Sequence, residues 1–196
     1  MNERITRARL FEGALLTGGG VALGGVLLGG LPDFATSKPS AKQDAEILNF
    51  ALTMEYVQSG FYAEALSRGS LKGELRDYAQ RVGRQEQEHL EFIKGALGKS
   101  AGPKPELDFG DDTADPEAFA NAALKLEDLG VAAYNTQAPN LTKATLAAAA
   151  KIVSVEARHA AWIRAIAGKN PAPDAAEPTA TAKQVVATLD GSGYLQ

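Results

Sequence analysis

Twice in this chain a glutamate and a histidine stand three residues apart in the middle of an apolar helical stripe, and that pattern limits what the chain can fold into. Residues 151–166, KIVSVEARHAAWIRAI, have helical spacing, and one face runs Ala149, Ile152, Glu156, His159, Ile163 and Ile166. Residues 86–93, EQEHLEFI, repeat the arrangement, with Glu86 and His89 between Tyr78, Val82, Ile93 and Leu97. A carboxylate taken into a core costs several kcal/mol unless it is protonated or compensated. Any fold that buries these faces has to supply that compensation.

Two further helical stripes complete the picture. Residues 41–68 align Leu48, Leu52, Ser59, Tyr62 and Leu66, with Glu55 at the centre. Ser67–Ser70 supply turn residues, and a second helix follows over 71–97. Residues 98–115 are rich in Gly, Pro and Asp and form a long crossing. Asp115-Pro116 caps and starts a third helix, which runs to Gln137 with Ala120, Leu124, Val131 and Tyr134 aligned and Glu127 among them. Pro139 breaks it, and the fourth helix runs over 141–167 until GKNPAP ends it. No segment alternates long enough for a strand, so the class is all-α. Two antiparallel helix pairs joined by one long crossover make a four-helix bundle. Extended, the crossover spans about 55 Å, more than the length of a bundle.

Three parts follow from this reading. Residues 41–168 form the bundle. Residues 169–196 form a loose tail with one short helix in AKQVVATL. Residues 1–40 combine Arg4, Arg7 and Arg9 with an uncharged stretch over 13–31 that holds eight glycines, the pattern of an export signal plus linker. TRARLF, Thr6–Phe11, resembles the motif of twin-arginine signals, although Ala8 separates Arg7 from Arg9. An uncleaved membrane anchor is the competing reading. The expected location is periplasm, cell envelope or extracellular space.

Composition narrows the chemistry. A chain of 196 residues that is 45% hydrophobic holds one domain with a real core. A net charge of -4 offers no basic surface for nucleic acid. With no cysteine, thiol catalysis, disulfides and zinc-thiolate sites are excluded, and carboxylates with His89 and His159 remain as metal ligands.

The halves repeat each other. With Glu55 set on Glu127, ALTMEYVQSGFY overlies ALKLEDLGVAAY; with Glu86 set on Glu156, EQEHLEFI overlies EARHAAWI. Each half offers one glutamate on its first helix and Glu-x-x-His on its second, where a three-residue step puts both side chains on one face. At ~1.5 Å per residue the depths of Glu55 and Glu86 differ by roughly one turn, so all six groups can meet at mid-bundle. Two divalent cations would balance four carboxylates in formal charge, with the imidazoles completing nitrogen positions.

That ligand set, one Glu plus Glu-x-x-His from each helix pair, resembles the ferritin-like di-iron and di-manganese carboxylate proteins over residues 41–167. LNFALTMEYVQSGFYAEAL and LEDLGVAAY are most similar to the exported ferritin-like domain proteins, a group that includes desiccation-related proteins. The resemblance implies Glu55, Glu86, His89, Glu127, Glu156 and His159 as ligands, with Glu86 and Glu156 as the bridging pair. It also implies two metal ions, iron or alternatively manganese. The expected function is redox chemistry at that pair: Fe(II) oxidation, or reduction of oxygen or peroxide with an external reductant. The alternative is a non-catalytic stress protein with a structural or relict site. A monomer or homodimer is expected in place of a storage shell.

Tyr62 and Tyr134, each seven residues after a ligand glutamate, are candidates to hydrogen-bond a carboxylate or pass electrons, or are plain core tyrosines. Trp162 reads as core filling. Glu46, Glu64, Glu88 and Asp128 read as surface charge, and Asp108–Asp112 as a solvated loop.

Overall fold

The computed structural model describes residues 38–196, so the export or anchor segment read over 1–37 lies outside the described residues. Ser40 opens α1, Ala41–Arg68, by accepting the Gln43 N–H, and Gly69 closes it in the left-handed region at φ 72°. After a short turn come α2, Gly73–Leu97, and the crossing. Asp115 caps α3, Pro116–Gln137, through the N–H groups of Glu117 and Ala118. Pro139 sits in a 3-10 turn, Ala138–Asn140, that hands the chain to α4, Lys143–Ile166. The second and fourth helices each start two residues later than the sequence predicts, and Leu71 and Leu141 pack as buried residues ahead of them.

Contacts are densest within the pairs α1/α2 and α3/α4, which is the two-pair arrangement expected. A glycine sets one close approach: a Cβ at Gly83 of α2 would lie 2.8 Å from Tyr62 Cβ of α1. A helical glycine costs about 1 kcal/mol relative to alanine, and here it lets the two backbones close around Tyr62.

The tail departs from the loose strap expected of it. Residues 167–179 are exposed, but α5, Ala182–Ser192, buries Val185 and Leu189 in the main core beside Phe61, Phe119 and Tyr78. The spacing of Val185 and Leu189 is one helical turn, so the apolar face was present in the sequence, and Tyr194 extends it. Beyond α5 the chain meets the crossing in an antiparallel bridge, Leu107 with Leu195. The acidic loop is tied in at the same point. Asp112 accepts the Tyr194 hydroxyl at 2.5 Å and Asp108 accepts the Gly110 N–H at 2.9 Å, so these aspartates brace the loop and are not merely solvated charge.

Asp44 is a buried carboxylate that sequence reasoning passed over. It accepts the Thr142 N–H at 2.9 Å and the hydroxyls of Thr142 and Thr145 at 2.5 Å each. An α1 side chain therefore caps the N-terminus of α4, where the helix dipole favours a negative charge. Asp44→Ala strands these donors and is expected to destabilise the fold by about 2–4 kcal/mol, read as a fall in the thermal midpoint; Asp44→Asn should recover part of the loss.

Candidate metal centre

The structure brings all six sequence-predicted side chains together at mid-bundle. Glu55, Glu86, Glu127 and Glu156 each have 0% relative exposure, and His89 and His159 are buried beside them. They fall into two overlapping groups, Glu55, Glu86, His89 and Glu156, and Glu86, Glu127, Glu156 and His159. Within each group one oxygen or nitrogen from every residue lies within 4.8 Å of all the others. Glu86 and Glu156 belong to both groups. They come from the second helix of each pair, and the three-residue step to each histidine aims both side chains of a pair inward.

The polar atoms of these residues divide cleanly. The outward oxygens are held: Tyr134 donates to Glu55 Oε1 at 2.5 Å, and Tyr62 donates to Glu127 Oε1. The Gln58 amide reaches Glu127 Oε1 at 3.4 Å and Glu156 Oε2 at 3.3 Å. The atoms without a hydrogen-bond partner are Glu55 Oε2, both oxygens of Glu86, Glu127 Oε2, Glu156 Oε1 and the Nδ1 atoms of His89 and His159. His89 Nδ1 lies 2.9 Å from Glu156 Oε1 and His159 Nδ1 2.9 Å from Glu86 Oε1, yet neither approach has hydrogen-bond geometry. Buried polar atoms are seldom left unpaired, and seven of them converging from six residues are what a cation would satisfy.

Electrostatics reach the same point. Among the described residues no lysine or arginine pairs with any of the six; the buried Arg164 is neutralised by Asp128 at 2.5 Å. Burial and repulsion by Glu86 and Glu156 push the Glu55 carboxyl well above its ordinary range. Burial and Glu86 likewise push Glu127 up to about 8, and they raise Glu156 as well. Burial disfavours a charged His89, but Glu156 and Glu86 override it and raise the imidazole to about 11; Glu127 and Glu86 raise His159 to about 10 against the same penalty. Glu86 resists burial only because His159 and His89 flank it, and falls to about 2. Without a metal, the cluster holds protons where cations would sit.

Oxygen and imidazole donors in this number suit a divalent first-row metal, and the residues fit such an ion. His159 is also set up for it. Its Nε2 lies 2.9 Å from Gln85 Oε1, so the amide oxygen accepts the Nε2–H and Nδ1, which faces the carboxylates, is the nitrogen that would exchange its proton for a metal.

The two tyrosines sit in exchanged positions. Tyr62 of α1 holds Glu127 of α3, and Tyr134 of α3 holds Glu55 of α1, so each half orients the other's carboxylate. Burial and the adjacent glutamate push both hydroxyls well above their ordinary range, which keeps them donors. Gln58 and Gln85 were missed by sequence reasoning. Gln58 is buried where the sequence stripe placed Ser59, which instead turns to Gln87 on the exposed side. Its signal was legible, being one turn after Glu55; Gln85 had none. Glu88 and Glu46 lie away from the cluster, Glu46 in an exposed pair with Lys42. Glu64 and Asp128 are more than free surface charge, since Glu64 binds Arg68 and Thr113, and Asp128 binds Arg164.

No curated protein matches the chain closely enough to count as a relative. Residues 43–169 match the ferritin-like domain family, a span that begins in the first turns of α1 and ends just past α4. That match, on a bundle whose two repeated helix pairs gather their carboxylates and histidines at its centre, makes this chain a member of the ferritin-like family.

Proposed function

We propose that this protein holds a dinuclear metal centre, with iron as the metal, and uses it for redox chemistry: oxidation of Fe(II), or reduction of oxygen or peroxide at the expense of an external reductant. The observation that carries the reading is the set of unpartnered inward atoms, which belong to two groups sharing Glu86 and Glu156. Two positions joined by two carboxylates suit a pair of ions that change oxidation state together. A bound iron pair would supply electrons to oxygen or peroxide. The chain's own residues do the rest: Tyr62, Tyr134 and Gln58 fix the carboxylates, Gln85 sets the tautomer of His159, and the surrounding apolar side chains exclude water.

We place the protein outside the cytoplasm, on the strength of the arginines and the glycine-rich apolar run over residues 1–31. No helix among the described residues is long and apolar enough to cross a membrane.

Elemental analysis of protein isolated from its own host, followed by anaerobic reduction and reoxidation, tests the proposal. The expected result is two irons per chain and consumption of oxygen or peroxide when reductant is supplied. Bound metal with no consumption of either would favour a structural site in a stress or desiccation-related protein, and manganese in place of iron would shift the chemistry to peroxide disproportionation.

A further inference from the structure

Tyr62 is the inner end of a run of three aromatic side chains that reaches the surface on one half of the bundle. Its hydroxyl donates to Glu127 Oε1 and lies 3.1 Å from the Tyr78 hydroxyl, with the two ring centroids 5.9 Å apart. The Tyr78 ring meets the Trp162 indole edge-on at 5.2 Å. At the outer end the Trp162 indole N–H donates to Glu74 Oε1 at 3.1 Å, in solvent. Tyr62 and Tyr78 are fully buried and Trp162 is half-buried.

The repeat shows that packing alone does not explain this run. Tyr134 matches Tyr62 and holds Glu55 as Tyr62 holds Glu127. In the same register Ala148 stands where Tyr78 does and Phe92 where Trp162 does, so the run is not repeated behind Tyr134. The matching positions in the half of Tyr134, which is itself half-buried, are thus an alanine and a phenylalanine, neither of which carries a side-chain donor or a readily oxidised ring. On the other side, all three positions hold side chains that can lose one electron, and each has a hydrogen-bond partner placed to take its proton.

We propose that Trp162, Tyr78 and Tyr62 form a relay that carries single electrons from a one-electron reductant in solution to an oxidised metal ion, which the buried carboxylate cluster would hold and which would be reduced by one electron. The proposal rests on the redox reading of that cluster. When Tyr62 gives up one electron, its phenolic proton moves to Glu127 Oε1. One electron then passes from Tyr78 to Tyr62, and the Tyr78 proton shifts to the Tyr62 oxygen. Trp162 re-reduces Tyr78, and the protons return along the same hydrogen bonds. The Trp162 N–H proton is shared with Glu74 until the reductant restores the indole. The net result is one electron moved inward and one reductant molecule oxidised, with every proton back on its starting atom. The chain has no cysteine to hold an iron-sulfur donor of its own, and the Trp162 edge gives an outside donor a point of contact.

The relay can be run in reverse and read without turnover. Full-length protein is loaded with zinc, which fills the cluster and takes no part in one-electron chemistry, and is exposed to photogenerated tris(bipyridine)ruthenium(III). Oxidation at Trp162 should be followed by decay of the tryptophan radical and growth of a tyrosyl signal in electron paramagnetic resonance. Trp162→Phe should reduce the tyrosyl signal to background. Tyr78→Phe, which keeps the ring, should leave a long-lived tryptophan radical with no inward transfer. Tyr194→Phe should keep the wild-type yield. A tyrosyl yield unchanged in either Trp162→Phe or Tyr78→Phe would overturn the relay. Zinc counted on the same samples reports on the metal site separately, so an intact radical pattern in protein that binds no zinc would reject the metal reading and leave the electron path standing.

Discussion

Glu86→Ala and Glu156→Ala are each expected to abolish loading of the proposed metal pair, whereas Glu88→Ala should leave it at the wild-type level. Glu86 and Glu156 are the residues common to both ligand groups, so losing either strips a donor from both positions at once. Glu88 lies on the same helix as Glu86 but on its exposed face. Glu55→Ala and Glu127→Ala touch one group each and should leave partial loading. Gln58→Leu keeps every ligand and removes only the amide that steadies Glu127 and Glu156, so a loss of about 10–100-fold in affinity is expected there. Metal counted after titration with Fe(II) under anaerobic conditions, alongside helical content by circular dichroism, separates these cases. Equal losses from Glu86→Ala and Glu88→Ala would mean that the cluster is not where metal binds.

The metal-free chain should lose stability as pH rises from about 5 to about 9, and bound metal should flatten the dependence. The sign comes from groups that hold protons in the folded state only. Glu127 is raised from 4.5 to about 8. Its contribution is therefore fully present below 4.5 and lost as pH climbs through 8, because the unfolded chain has released the proton and the folded chain has not. His89 and His159, raised from 6.5 to about 11 and about 10, extend the loss over the window above 6.5. Each proton held by the folded state alone costs on the order of 1.4 kcal/mol per pH unit within its window. Glu86 works the other way: lowered from 4.5 to about 2, it contributes above 4.5 and its contribution is lost as pH falls through 2. The cluster thus favours the folded chain most on the acid side of neutrality. Divalent metal displaces the protons, so loading should release them and tighten with rising pH. Thermal midpoints across pH with and without zinc, and calorimetric titration in buffers of different ionisation enthalpy, measure both effects. A metal-free midpoint that rises toward pH 9 would contradict the proton inventory.

Much of this was legible in the sequence because helices and their ligand spacing are local. A 3.6-residue period fixes which side chains share a face, and a three-residue step fixes that Glu86 and His89, or Glu156 and His159, point the same way. The repeat then placed Glu55 and Glu127 on matching stripes. The docking of α5 was underread because a single turn, Val185 to Leu189, is too short a pattern to show that a tail will find a core. Gln85 was invisible for a different reason. Its role depends on an imidazole 74 positions away on another helix, and nothing in its own surroundings marks it.

By itself the sequence determined the four long helices, their inward faces and the six side chains that share those faces, since each of these depends on residues within a few turns of one another. Only the tertiary structure decided which carboxylate each tyrosine holds, that Asp44 of one helix caps another, and that Tyr62 continues through Tyr78 to Trp162 at the surface. Those pairings join atoms far apart in the chain, and they are set by how closely the helices approach and at what height they cross, which no local pattern records.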